Sequence, residues 1–354
     1  MRTASRPPGA RRPGGSPHLR PEKLFGFFDA TYAVELEDEP WLRSVSKATR
    51  EVWGEPGAIL STFFDASDPA DLRISLMVTE DVSEDLGAVF MKSFALHTRD
   101  LGVRLYRRAT AGSLRNLAPE FIPALAQTTP HGMADSFGVI GSNPDGVGCS
   151  VTVGAGAPIE VSDAEWSVYK CMAAHLSAAF RLRRRLRAGA APEPTSVSNG
   201  AEAVLDPAGR VLHAEGLADR PGALANLKQA IRSFDRARTR GRRKDPLAGI
   251  AEHRPLVDAR WTLVDAYQRG GARYIVAREN LAPVRGLARL TDRERQVAAL
   301  LALGRSTKEI AYALGIADST ARVLLARAAV RLGARTREEL IRATTREALP
   351  ELEV

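Results

Sequence analysis

Between Leu290 and Ala343 the apolar positions repeat with a helical period and stop at glycines. Val297, Leu300 and Leu301 fall at i, i+3 and i+4 before Gly304, and Ile310, Ala311 and Leu314 share one face before Gly315. Ala321, Leu325, Ala328 and Leu332 form a stripe that ends at Gly333, and Leu340 and Ile341 face inward in a last short run. Each run has a start signal. Thr291 with Glu294 makes a capping box, Ser306 or Thr307 caps the second helix, Asp318 or Ser319 the third, and Thr336 opens the fourth. Two short helices joined by a glycine turn predict a helix-turn-helix whose second helix can enter the DNA major groove. Arg322, Val323, Ala326 and Arg327 lie off the apolar stripe and face a partner. A plain helical bundle with solvated arginines fits the same spacing.

Upstream the pattern alternates between helix and strand. An amphipathic helix is predicted from Trp41 to Trp53, strands over Ala58–Phe64 and Arg73–Val78, and helix over Ser83–Thr98 and in broken form over Leu114–Gln127. Strands follow at Ser136–Gly141 and Val147–Val153, then a long helix from Asp163 to Arg187. Its end, RLRRRLR, is either a DNA-contacting patch or a solvated helix end whose cations suit the C-terminal dipole, and the second reading is preferred. Ala188 to Gly200 is a linker of small residues and proline, hence a domain boundary. After it come short strands in AVLD and RVLHAE, a helix with Leu224, Leu227, Ile231 and Phe234 on one face, and strands at Arg260–Gln268 and Arg273–Arg278. The basic run Arg236 to Lys244 reads as a solvated loop.

With 354 residues the chain is long enough for two or three cores. No apolar run reaches the length of a membrane span. The net charge of +8 favours a polyanionic partner. Its location matters more: Leu287–Arg346 holds twelve Lys or Arg against six Asp or Glu, so most of the excess sits on the helical segment. Cys149 and Cys171 give no disulfide framework and suit a reducing cytoplasm. Residues 1–23 carry Arg11-Arg12 without an apolar stretch after them, and read as a disordered basic tail or an over-long translation start, not an export signal.

The C-terminal segment resembles the LuxR-type (FixJ/GerE-type) DNA-binding domain. The resemblance rests on Leu290-Thr291-Asp292-Arg293-Glu294, Gly304, Lys308-Glu309-Ile310-Ala311, Leu314-Gly315-Ile316, Thr320, Leu325, Leu332-Gly333 and Arg337-Glu338-Glu339-Leu340. It implies that Arg322, Val323 and Ala326 point at base edges, with Arg322 able to take a guanine through O6 and N7. Lys308, Ser319, Thr320, Arg327 and Arg331 then suit phosphates. It also implies a homodimer, at least on DNA, through the fourth helix, with Thr336, Leu340 and Ile341 as its face. The chain departs from the family at Leu324, where His is common, at Ala321, where Val is usual, and at the short Ala326, so direct readout rests largely on Arg322.

The upstream order resembles a GAF-like sensor domain followed by a PAS-like one, although an unrelated α+β domain has the same order as the first. The expected fold is therefore multidomain: an α+β sensory region, then an all-α four-helix LuxR-type domain. The expected boundaries are 1–23 tail, 24–187 GAF-like, 188–200 linker, 201–280 PAS-like, 281–287 hinge, 288–346 helix-turn-helix and 347–354 tail.

Catalytic signatures are absent: there is no G-x-S-x-G, H-E-x-x-H, C-x-x-C or P-loop. The missing P-loop excludes the large ATP-dependent regulators of the family, and a phosphorelay receiver or an acyl-homoserine-lactone pocket lacks its residues here. Cys171 and His175, four apart, with Cys149, could bind a metal or sense oxidation; a core cysteine beside a hydrogen-bonded histidine is the preferred reading. The expected protein is a cytoplasmic, cofactor-free, non-enzymatic transcription regulator. Its expected partners are double-stranded DNA, RNA polymerase and an unknown small-molecule or protein input, with no membrane. The competing reading is a protein-interaction or polymerase-docking module like sigma-factor region 4; an enzyme with an appended helical domain ranks third.

Overall fold

A computed structural model describes residues 18–54, 58–68, 71–80, 103–108, 110–123, 133–188, 201–243, 245–254, 256–267, 273–281 and 287–348. The readings made for residues 1–17, the whole Ser83–Thr98 helix, residues 124–127 of the Leu114–Gln127 segment, residues 189–200 of the linker, residues 282–286 of the hinge and the tail from residue 349 on lie outside the described residues. No described helix is long and apolar enough to cross a membrane.

The first domain begins with α1 (Leu24–Thr31) and α2 (Asp38–Val52). Five strands follow: β1 (Ile59–Asp65), β2 (Arg73–Glu80), β3 (Ala111–Ser113), β4 (Asp135–Ser142) and β5 (Val147–Ala155). The short α3 (Leu114–Leu117) lies between β3 and β4, and α4 (Asp163–Ala188) closes the domain. The sheet is antiparallel in the order β2-β1-β5-β4-β3, with Ile59 opposite Val153 and Phe137 also opposite Val153. Alternation along the strands sends two sets of side chains to opposite faces. Phe63, Phe137, Val139 and Val151 join Trp41, Trp53, Tyr169 and Leu176 in the main core under α1, α2 and α4. Phe64, Ile140, Tyr106 and Phe121 fill a smaller core on the other side. Residues 18–23, assigned to the basic tail from composition, instead pack on the end of α2: Arg20 N donates to Val52 O (2.7 Å) and Leu19 is buried. One apolar side chain and two backbone bonds suffice to hold them.

The second domain carries β6 (Ala203–Leu205), β7 (Val211–Ala214), α5 (Pro221–Arg243), α6 (Pro246–Glu252), β8 (Trp261–Tyr267) and β9 (Arg273–Glu279). Its sheet runs β7-β6-β9-β8, all neighbours antiparallel. Leu227, Ile231 and Phe234 of α5 pack on Leu205, Trp261, Leu263 and Ile275.

Two arginine runs depart from the sequence expectation. The Arg236–Lys244 run is no loop through residue 243: α5 continues through it, and buried Arg238 pairs with Asp29 and, at 3.1 Å, with Asp265. The end of α4 is not simply solvated either. Arg181 and Arg183 are buried; Arg183 lies over the Trp41 ring and pairs with Asp38 at 3.0 Å. Arg184 pairs with Asp145, Arg185 with Glu279 and Arg187 with Glu37. These partners are dozens of residues away in sequence, so a charge run alone cannot announce them. The long aliphatic stems cover apolar surface while the guanidinium forks reach acids of both domains.

Candidate nucleic-acid interface

Four helices build the C-terminal domain: α7 (Asp292–Ala302), α8 (Thr307–Leu314), α9 (Asp318–Leu332) and α10 (Arg337–Ala348). The capping box at Thr291 is complete, with the hydroxyl accepting from Glu294 N and the Glu294 carboxylate accepting from Thr291 N at 2.9 Å. Ser306 and Glu309 repeat it at α8. Gly315 (φ 64°) and Gly333 (φ 70°) end α8 and α9 in the left-handed region, where a Cβ is strained. The cap of the third helix falls one residue before the expected one: Ala317 holds the N-cap position without a side-chain bond, and Asp318 is already helical. The first-turn N–H groups of α9 are therefore open to an outside acceptor.

Ala321, Leu324, Leu325 and Ala328 of α9 are buried against Val297, Leu301, Ile310 and Leu314. Leu324, the departure from the family noted above, thus belongs to the core. The remaining face is open. Arg322 and Ala326 are exposed, Val323 is 48% exposed, and their i, i+1, i+4 spacing puts them on one side of the helix. Ser319, Thr320 and Arg327 on α9 and Lys308 at the start of α8 are exposed beside them. Arg331 is engaged inside the domain, since its Nη1 lies 2.8 Å from the buried Glu294 carboxylate. Leu340 and Ile341 depart from the expected dimer face. Leu340 is 3% exposed in the domain's own core and Ile341 packs against that core, because α10 folds back on α7. Thr336 caps the first turn of α10, accepting from Glu339 N at 3.1 Å. What α10 leaves exposed is mostly charged: Arg337, Glu338, Glu339, Arg342 and Arg346, with Thr345.

Residues 288–344 match the family described as bacterial regulatory proteins, luxR family. The C-terminal domain is of the LuxR type. Such a domain is that of a DNA-binding transcription regulator, and the match leaves residues 1–287 uncovered. No curated protein matches the chain.

The LuxR-type domain is held against the rest of the chain at its helix-turn-helix turn. Ala259 N donates to Leu314 O at 2.7 Å, and Arg254 Nη1 to Ile316 O at 3.1 Å. A Cβ on Gly315 would overlap the carbonyl of Leu256. Arg293 of α7 pairs with Asp258 at 2.6 Å. Asp258 and Ala259, neither a glycine, both sit at positive φ (52° and 58°), so the clamping segment is strained as well as close. Leu256, Ala259 and Ala178 of α4 share the core of the LuxR-type domain.

A buried aromatic cluster makes the second attachment. His175 of α4 donates from Nε2 to His253 O at 2.8 Å, and Tyr312 of α8 donates its hydroxyl to the same carbonyl at 2.7 Å. Tyr32, the residue that ends α1, donates to His175 Nδ1 at 3.1 Å, so both ring nitrogens are used. The His253 ring stacks on those of His175 and Phe28. Burial pushes His175 down to about 3 and His253 well below its usual value, so both are neutral near pH 7. The Cys171–His175 pairing raised from sequence is thus resolved into a hydrogen-bonded core histidine, with burial pushing the Cys171 thiol up to about 11. Neither Tyr312 nor Arg254 stood out in the sequence. Tyr312, a polar-tipped aromatic between the apolar positions of α8, was the available signal.

In this arrangement Ser319, Thr320, Val323 and Arg327 border a cleft of about 1090 Å³, whose other wall is Leu217, Arg220 and Asn226. That volume suits at most a small ligand.

Proposed function

We propose that this chain is a transcription regulator whose upstream α+β region holds the LuxR-type domain by its turn, and that an input to that region frees α9 for the major groove. One observation carries the reading. The face of α9 with Arg322, Val323 and Ala326 is solvent-exposed, and Val323, with Ser319, Thr320 and Arg327 beside it, lines a cleft shared with the second domain. The five-stranded antiparallel sheet backed by helices, followed by a smaller sheet with one long helix, supports the GAF-like and PAS-like reading of the input region. Arg322 reads a base while Lys308, Ser319, Thr320 and Arg327 hold phosphates. Arg331 joins them only by giving up Glu294. On DNA two copies bind half-sites about 34 Å apart, and any pairing through α10 uses its charged surface.

The test is selection of preferred DNA sequences with Arg322→Ala and Lys308→Ala. Arg322→Ala costs about 1–3 kcal/mol on the preferred site and relaxes one position. Lys308→Ala weakens all sequences alike and flattens the salt slope by about one. Unchanged base preference in Arg322→Ala rejects the assignment.

A further inference from the structure

Between α4 and the LuxR-type domain lies a second cavity, of about 330 Å³, at the small end of the range for ligand sites. Four cations line it: Lys170 and Arg181 from α4, Arg305 just before the cap of α8, and Lys308 in its first turn. Glu309 is the one carboxylate in the lining, and it is already engaged by Ser306 N at 2.7 Å and Lys170 at 3.5 Å. Arg181 is buried, and its hydrogen bonds run from Nε to Asn280 (3.0 Å) and from Nη1 to Asn143 (2.8 Å), both neutral amide oxygens. Among the described residues no acid forms a direct ion pair with it; Asp145, paired with Arg184, acts on it only at longer range. Gln296, 2% exposed, also lines the space, and its Oε1 has no hydrogen-bond partner. The rest of the wall mixes apolar side chains, Ala174, Leu300, Ala313 and Leu314, with the hydroxyls of Ser142, Ser167 and Ser177.

A buried guanidinium bonded only to amides, and a buried carbonyl oxygen bonded to nothing, are each costly unless something fills the space between them. The geometry points to this cavity as a binding site for a small organic anion with an apolar body, its acid group on Arg181, Arg305 and Lys308 and an N–H or O–H on Gln296. The consequence for DNA rests on the reading above, in which the LuxR-type domain leaves its dock to bind the duplex. The two walls belong to different domains, so the site is whole only in the docked arrangement. A ligand shifts an equilibrium toward the state that binds it better, and the coupling is reciprocal. The anion therefore favours the docked state and opposes DNA.

The probe is 1-anilinonaphthalene-8-sulfonate, an aromatic anion with one N–H, read by its fluorescence on the full chain. Its neutral counterpart N-phenyl-1-naphthylamine lacks only the sulfonate. One sulfonate dye binds per chain, at least about tenfold tighter than the neutral dye, reflecting the charge-assisted bonds. Ala174→Leu and Ala313→Leu fill the cavity from opposite walls, and each weakens the sulfonate dye by about tenfold or more. Equal binding of the two dyes, or unchanged binding in a folded filled variant, overturns the site, and the dye comparison decides it should neither variant fold. The dye also weakens DNA binding by the full chain; no such effect overturns the coupling. Residues 286–354 lack the α4 wall, so DNA binding by that fragment separates the two ideas. Failure of the dye beside a DNA-binding fragment rejects the cavity alone, and failure of the fragment rejects the DNA reading.

Discussion

Leu340 shows how one side chain can be read correctly as apolar and wrongly as available. Its spacing with Ile341 marks an inward face, but only the fold decides whether that face meets the same domain or a second copy. Here it meets α7. Leu340→Ala should therefore destabilise the domain by about 2–5 kcal/mol through loss of buried volume. Thermal unfolding checks this: a loss that does not depend on protein concentration fits a core residue, and one that vanishes on dilution fits a dimer contact. Arg331 is similar. Position in the family motif gives it a phosphate, while geometry gives it the buried Glu294.

At the scale of elements, the C-terminal helices were legible because their determinants are local. Both capping boxes link residues three apart, and Gly304, Gly315 and Gly333 supply the left-handed turns directly after each apolar run. The other strands of both sheets were likewise visible as apolar runs broken by turns, but the three-residue β3, too short to show a pattern, was not. What the sequence left hidden depends on distant partners. Arg181 to Arg187 read as a charge run until Asp38, Asp145 and Glu279 are brought to it, and Arg238 read as loop until Asp29 and Asp265 surround it. Gly315 serves both scales, turning the helix-turn-helix and admitting Leu256 O. Gly315→Ala should destabilise an isolated 286–354 fragment by about 1 kcal/mol through the left-handed backbone. It should destabilise the full chain by more, because the new Cβ meets the clamp. Equal changes in melting temperature, scaled for size, would mean that the turn is not clamped in solution.

For the whole molecule, the stacked histidines tie α1, α4, the segment after α6 and α8 into one unit. Both are held neutral when folded, and both protonate near 6.5 once unfolded. Between that value and about 3 for His175 the unfolded chain binds more protons, so stability rises with pH. It is fully present above about 6.5 and declines as the pH falls, by about 2 kcal/mol for His175 at pH 5, with His253 acting in the same direction. Tyr32 and Tyr312 face the pair, and burial raises both phenols, so neither gains charge in that window. His253→Phe should be tolerated, since both ring nitrogens lack partners and the ring stacks on Phe28, and it should lower the proton slope between pH 5 and 6.5 by about one. An unchanged slope would mean that the cluster is open to water.

The central claim joins two parts: a LuxR-type domain that binds DNA, and an upstream region that restrains it at Leu314–Ile316. Equilibrium titration of a duplex pool with residues 286–354 and with the full chain, at several salt concentrations, measures both. The fragment retains its own buried core and both capping boxes. The account predicts that the fragment binds, that log K falls linearly with log salt, and that the full chain binds more weakly at every salt concentration. A fragment that fails to bind at low salt, or a full chain that binds as tightly as the fragment, contradicts it.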